Sequence, residues 1–180
     1  MMRITVIFLT LVLSACATPV KYVALPDTGI TLKQVVNGNV YVDTFDRTNS
    51  FNAMCRLGTP ITPPDFKSTF EGYIQNGLIE ELKAAGKYDE QPAKIKLSGT
   101  VEDLAFSTTV NGFAGGFWDI KLRVKSSNGK STVVSEHYEF ESSFFAATAC
   151  LNARDAFLPA VQNLISKLVK SREFKDLVKI

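Results

Sequence analysis

The clearest pattern in the chain is a strict alternation. Trp118, Ile120, Leu122 and Val124 fall on one side of an extended segment, and Asp119, Lys121, Arg123 and Lys125 on the other. Period two with one apolar face predicts a strand in an antiparallel sheet covered on one side only. Ser127-Asn128-Gly129-Lys130 turns the chain back. Val134, Tyr138 and Phe140 are then the expected inner face of the return strand, with Glu139 and Glu141 on the wet face near Lys121 and Arg123. One residue of slip at the turn would invert those faces. Upstream, Ile95, Leu97 and Val101 keep one phase, whereas Leu104 and Phe106 continue one residue out of it. A β-bulge near Glu102-Asp103 accounts for the shift. Ile30-Thr31-Leu32 and Val40-Tyr41-Val42 also alternate. With Asn37-Gly38-Asn39 between them they read as an early hairpin.

Two stretches follow the helical period instead. Phe66, Phe70, Ile74, Leu78 and Leu82 recur every four residues behind Thr62-Pro63-Pro64-Asp65, a start signal with capping Thr, first-turn Pro and an acidic third position. Lys83 and Gly86 mark the end of that helix. Phe157, Leu158, Val161, Leu164, Ile165, Leu168 and Val169 define the second stripe. Pro159 is harmless if that helix starts at Asp155 and kinks it if the start is near Thr148. Phe174, Leu177 and Val178 predict a short final turn packing back. Between Asp46 and Thr62 lies a long irregular stretch, uncommon unless it is functional or tied down.

The N-terminus has a different character. Arg3 precedes a mostly apolar run from Ile4 to Leu13, and Leu13-Ser14-Ala15-Cys16 follows. A run of about ten residues is half the length needed to span a bilayer, and the order of charge, apolar run and small residues is that of an export signal. The segment resembles the lipobox of bacterial lipoproteins. That resemblance implies cleavage before Cys16 (signal 1–15), a diacylglycerol on the Cys16 thiol and an acylated, palmitate-type amine. Several chains on one residue hold far better than one, at about 0.8 kcal/mol per buried methylene. Ala17 in place of Asp resembles the outer-membrane default of Gram-negative lipoproteins, so the resemblance implies a lipid-anchored domain facing the periplasm. Residues 16–29 then read as the lipidated Cys and a short tether, in which Val20, Tyr22 and Val23 can already belong to a strand. Residues 30–180 read as one domain.

Removing the signal leaves 165 residues, 19 of them basic and 18 acidic. That is one domain of ordinary size with a balanced charge, which argues against a nucleic-acid partner. In an oxidising compartment, Cys55 and Cys150 are an even pair once Cys16 is assigned to lipid. They are read as a disulfide, closing roughly 95 residues and contributing between about 4 and 5 kcal/mol in the chain-entropy model. Two free thiols or a redox pair are the alternatives, and no C-x-x-C favours the latter.

Candidate chemistry is sparse. His137 is the lone histidine, so any histidine-dependent triad must use it, and its setting among Glu136, Tyr138 and Glu139 reads as a surface residue. No G-x-S-x-G, H-E-x-x-H or zinc spacing occurs, and no metal, cofactor or enzymatic activity is expected. Asn111 to Phe117 is glycine-rich, but it lacks the Lys-Ser/Thr of a phosphate loop and precedes a strand. It reads as a hairpin tip. The sharper expectation is that Phe113 and Phe117 stay exposed there and dock on a partner or bilayer.

The element order predicts an α+β two-layer sandwich, with a mostly antiparallel sheet of about five strands and two long helices on one face. At this level the chain resembles small envelope lipoproteins of the curli-secretion or TolB N-terminal type. Two functional classes remain. One is a non-catalytic accessory lipoprotein of an outer-membrane assembly, transport or secretion system, with an envelope protein or a second copy as partner. The other is a lipoprotein that holds a lipid, glycan or small ligand between sheet and helices.

Overall fold

The computed structural model describes residues 18–91, 93–110 and 112–179. The signal segment and Cys16 lie outside the described residues. The elements run α1 (Pro26–Val35), β1 (Val40–Arg47), a 3-10 turn (Arg56–Gly58), α2 (Phe70–Ala84), β2 (Ile95–Ser107), β3 (Gly116–Ser126), β4 (Ser131–Phe140), α3 (Ala146–Lys170) and α4 (Arg172–Leu177). The fold is an α+β sandwich. Its sheet has the order β1-β2-β3-β4, with β1 parallel to β2 and the other two pairings antiparallel. Among the described residues there are four strands rather than the five expected.

The missing strand is Ile30–Leu32, which lies in the middle of α1. Pro26 occupies its first turn, where a missing N–H costs nothing, and Asp27 and Lys33 suit the two ends of the helix dipole. Leu32 and Thr28 are buried under it. The turn at Asn37–Asn39 therefore joins a helix to a strand, with Gly38 at positive φ.

The β2 to β4 meander follows its alternation. The register shifts between Val101 and Asp103, where the bulge was expected. Trp118, Ile120, Leu122 and Val124 are fully buried. Opposite them on β4 lie Tyr138, Glu136, Val134 and Thr132, so the inner face is the expected one with a carboxylate added. Buried Glu136 is met by Lys167 and Asn163 of α3. The wet-face pairing differs from expectation. Lys121 and Arg123 lie opposite Ser135 and Val133, and both cations turn to Glu102 on β2 instead of to Glu139 and Glu141.

α2 begins four residues later than its stripe suggests. Asp65 folds its own turn, accepting from Lys67 N, Ser68 N and Ser68 Oγ, and Thr69 is the cap, accepting from Gly72 N. Phe66, at positive φ, leaves the stripe and lies under the Arg154 guanidinium. α3 starts at Ala146, before Cys150, so Pro159 lies inside it. Phe70, Trp118 and Phe157 meet between the sheet and the two long helices, edged by Phe51 and Phe106. The buried indole donates to Ala153 O at 2.7 Å. These side chains occupy the layer between the sheet and the two long helices.

Residues 20–25 form no strand. They run along the outside of α2 and α3 and are fastened at several points. Val20 N donates to Pro64 O, Gln162 donates to Val23 O, and the Tyr22 hydroxyl and Leu25 N both donate to the buried Glu81 carboxylate, at 2.9 and 2.8 Å. The packed domain thus reaches back ten residues beyond the boundary expected at residue 30.

Candidate functional site

The register places Ser107, Gly116 and Phe140 together at one end of the sheet. β1 runs toward that end but stops short of it, with Arg47 opposite Val101, and α2 and α3 begin on the same side. Four segments cap this end: residues 48–62, the hairpin tip at 108–110 and 112–115, the approach to α3 at 142–145, and its first turns to Leu151. Within 48–55, 57–62, 107–118 and 142–151 the sequence holds no charged residue. In a chain that is 21% charged, this is the one region from which charge is withdrawn over several segments at once.

The charge-free segments expose large apolar side chains. Leu57 is 93% exposed, Phe145 79%, Phe144 76% and Phe113 71%, and Met54, Val110 and Leu151 are exposed beside them. Large exposed apolar side chains on adjoining segments make this end a candidate interaction surface. Local structure holds the display in place. Ile61 N donates to Ala53 O and Cys55 N to Thr59 O, which makes a small hairpin closed by Thr59 N on Arg56 O. Its two central residues, Leu57 and Gly58, both have positive φ. That is the geometry of the tight turn compatible with strand twist, and its first position favours Asn or Gly. Leu57 is held outward there against the preference of its own backbone. A second small tip is closed by reciprocal bonds between Val110 and Phe113, at 3.2 and 2.9 Å, and projects Phe113.

Arg56 and the disulfide bind these pieces together. The Arg56 guanidinium turns inward, donating from Nε to Thr108 Oγ1 at 2.8 Å, from Nη2 to Thr108 O, and from Nη1 to Ser143 O at 2.9 Å and Phe144 O at 3.3 Å. One cation thereby joins the 53–61 hairpin, the base of the second hairpin and the lead-in to α3. Cys55 is bonded to Cys150, with Cα atoms 5.9 Å apart, so the disulfide reading stands over the thiol alternatives. Between the hairpin and α3 lies a surface cleft of about 390 Å³ lined by Leu57, Pro60, Ile61, Phe66, Ala147 and Leu151 among others.

Of the two aromatics expected at the glycine-rich tip, Phe113 is there and Phe117 is not. Phe117 is the second residue of β3, half-buried on the open sheet face, 5.2 Å from the His137 ring. The sequence reading missed Leu57, Phe144 and Phe145. The Phe144-Phe145 pair, outside any stripe and flanked by Ser and Ala, was the available signal. Cys16 lies outside the described residues, so its lipidation has no geometry here.

The titratable groups lie elsewhere. His137 Nδ1 is 2.6 Å from Asp119 Oδ1 and its Nε2 is 3.6 Å from Glu139 Oε1, on the open face of the sheet. The bond to Asp119 holds the imidazole above its ordinary pKa. Glu81 is shifted upward by burial, against the smaller downward pull of Leu25 N and the Tyr22 hydroxyl. Among the described residues, no group of three or more His, Cys, Asp or Glu side chains is placed to hold a metal ion, and no helix is long and apolar enough to cross a membrane.

The chain matches no protein-family model and no curated protein. Among solved structures, it is similar to a Xanthomonas campestris protein of family DUF330, at 11% identity and a TM-score of 0.48 over 86% of this chain and 88% of that one. It is also similar to a proposed lipoprotein from Caulobacter crescentus, at 12% identity and a TM-score of 0.48 over 84% and 93% of the two chains. A dodecameric PelC from Paraburkholderia phytofirmans matches at 14% identity and a TM-score of 0.39 over 85% and 95%.

Proposed function

We propose that the chain is a non-catalytic lipoprotein, held at the outer membrane by acylated Cys16 and facing the periplasm, and that it serves as an accessory component of an assembly, transport or secretion system. The observation that carries this reading is Leu13-Ser14-Ala15-Cys16 placed directly before a domain whose first described residues are already fastened down. The absence of a catalytic role is also a proposal. It is supported by the setting of the lone histidine, whose two ring nitrogens face carboxylates rather than a nucleophile, and by the engagement of Cys55 and Cys150 with each other. The partner is an envelope protein or a second copy of the chain. Crosslinking of the tagged, lipidated protein in native membranes, followed by mass spectrometry of what is captured, tests this. A stoichiometric neighbour or a crosslinked homo-oligomer is the expected result. A clean monomer would overturn the accessory role.

The ligand-binding reading retains one specific observation, the apolar cleft beside α3. It is a surface groove rather than an enclosed pocket, and the layer between sheet and helices is occupied by side chains. The accessory reading is the better supported of the two.

A further inference from the structure

We infer that the charge-free end of the domain is a bilayer-docking surface, on which Leu57, Phe113, Phe144 and Phe145 enter the lipid interface. The inference rests on the reading of Cys16 as acylated. Val20 is fixed at this same end, its N–H on Pro64 O and its carbonyl within reach of the Tyr73 hydroxyl near the start of α2. Phe66, two residues past Pro64, lies under Arg154 of α3 and lines the cleft together with Leu57 and Leu151. Three residues lie between Cys16 and Val20, and the four steps of chain reach only about 14 Å when fully extended. An acyl-bearing Cys16 therefore keeps the bilayer against this end and away from the far end, where Ser126, Ser131 and Lys170 lie.

The surface has the chemistry that a lipid interface accepts. Phe and Leu partition into it, and charged side chains resist it. Residues 48–55, 57–62, 107–118 and 142–151 contribute exposed Phe and Leu and no charge. Arg56, between the first two, is turned inward onto carbonyl and hydroxyl oxygens, Arg154 at the cleft covers Phe66, and Glu141 stands at the rim. The second attachment would fix the tilt of a domain whose short tether sets only which end lies nearest the bilayer.

The test uses the lipidated protein reconstituted into vesicles of phosphatidylethanolamine and phosphatidylglycerol, with and without bromine on the acyl chains. Single tryptophans are introduced as Phe113→Trp, Phe145→Trp and, on the open sheet face toward the far end, Val133→Trp. Fully buried Trp118 supplies the constant background. The two tip tryptophans are expected to lose roughly half of their added emission to brominated lipid, as side chains seated in the interface do. The Val133→Trp signal should not change. Adding Leu57→Asn, which suits the turn, should reduce the quenching while the fold is kept. Unquenched tips on a protein whose mass shows acylated Cys16 would overturn the docking surface and leave the lipoprotein reading intact. An unmodified Cys16 would overturn both, and the mass distinguishes the two failures. Tips shielded in native membranes but unquenched in pure lipid vesicles would make the surface a protein contact and contradict the inference.

Discussion

Leu57 occupies a backbone conformation that suits asparagine or glycine. A bulky residue at positive φ costs about 1 kcal/mol or more, and Leu57 recovers nothing by burial because its side chain is almost wholly exposed. Leu57→Asn is therefore expected to stabilise the domain by about 1 kcal/mol, read as a higher urea midpoint at unchanged slope. An unchanged or lower midpoint would mean that the turn does not carry the strain assigned to it. His137 provides the other residue-scale expectation. Its pKa is raised chiefly by the bond to Asp119, so the imidazolium form is favoured in the folded state. The stability this contributes is fully present below the ordinary histidine pKa, and it is lost as pH rises through the folded value. The group is exposed, so the effect on stability is small. By NMR, His137 should titrate above 6.5, and Asp119→Asn should bring it back toward that value. Identical titrations in the two proteins would sever the Asp119 link.

At the scale of elements, Gly77 is the position on which attachment of the N-terminal segment depends. A Cβ there would lie 2.6 Å from Ile165 Cδ1 and 2.9 Å from the Tyr22 ring. Glycine leaves room for the Tyr22 ring to pack against α2 while its hydroxyl reaches Glu81. Gly77→Ala gains helix propensity but must displace Tyr22 or Ile165, and a net loss of about 1–3 kcal/mol is expected, as for overpacking elsewhere. Proteolysis in the 20–25 segment should become faster, and an unaltered cleavage rate would show that the segment is held by other contacts. Strand alternation was legible because β3 buries one face and wets the other, and the bulge at Glu102-Asp103 was legible as a slip of phase. The start of α2 was not. Thr62-Pro63-Pro64-Asp65 has the composition of a cap, yet Asp65 satisfies nearer amides and Thr69 takes the role. α1 was misread because its ten residues, rich in β-branched side chains and containing Gly29, have weak helix propensity. The helix forms by packing on α2 and α3, which no local pattern reports. The apolar end was half legible. The glycine tip pointed to Phe113, but Leu57, Phe144 and Phe145 lie far apart in sequence and become one surface only through Arg56 and the disulfide.

For the whole molecule, the two ends of the sheet differ in make-up. The far end is closed by turns and α4, with Asn128 donating to the carbonyls of Asp176, Leu177 and Lys179. The near end collects the start of the packed chain, the disulfide, the inward-turned arginine and the exposed apolar side chains. A domain anchored through Cys16, with three residues between it and the fastened Val20, would have little choice over which end meets the membrane, and that end is the one whose exposed tips hold no charge. Attachment at this end depends on Cys16. The most direct test is the intact mass and N-terminal peptide of the protein extracted from membranes of cells expressing the full chain. The prediction is a chain that begins at Cys16 and carries the added mass of its acyl groups, and that moves to the soluble fraction or retains its signal when Cys16 is changed to Ser. A mature chain that begins elsewhere, or one that begins at an unmodified Cys16 and leaves the membrane with salt alone, would contradict it.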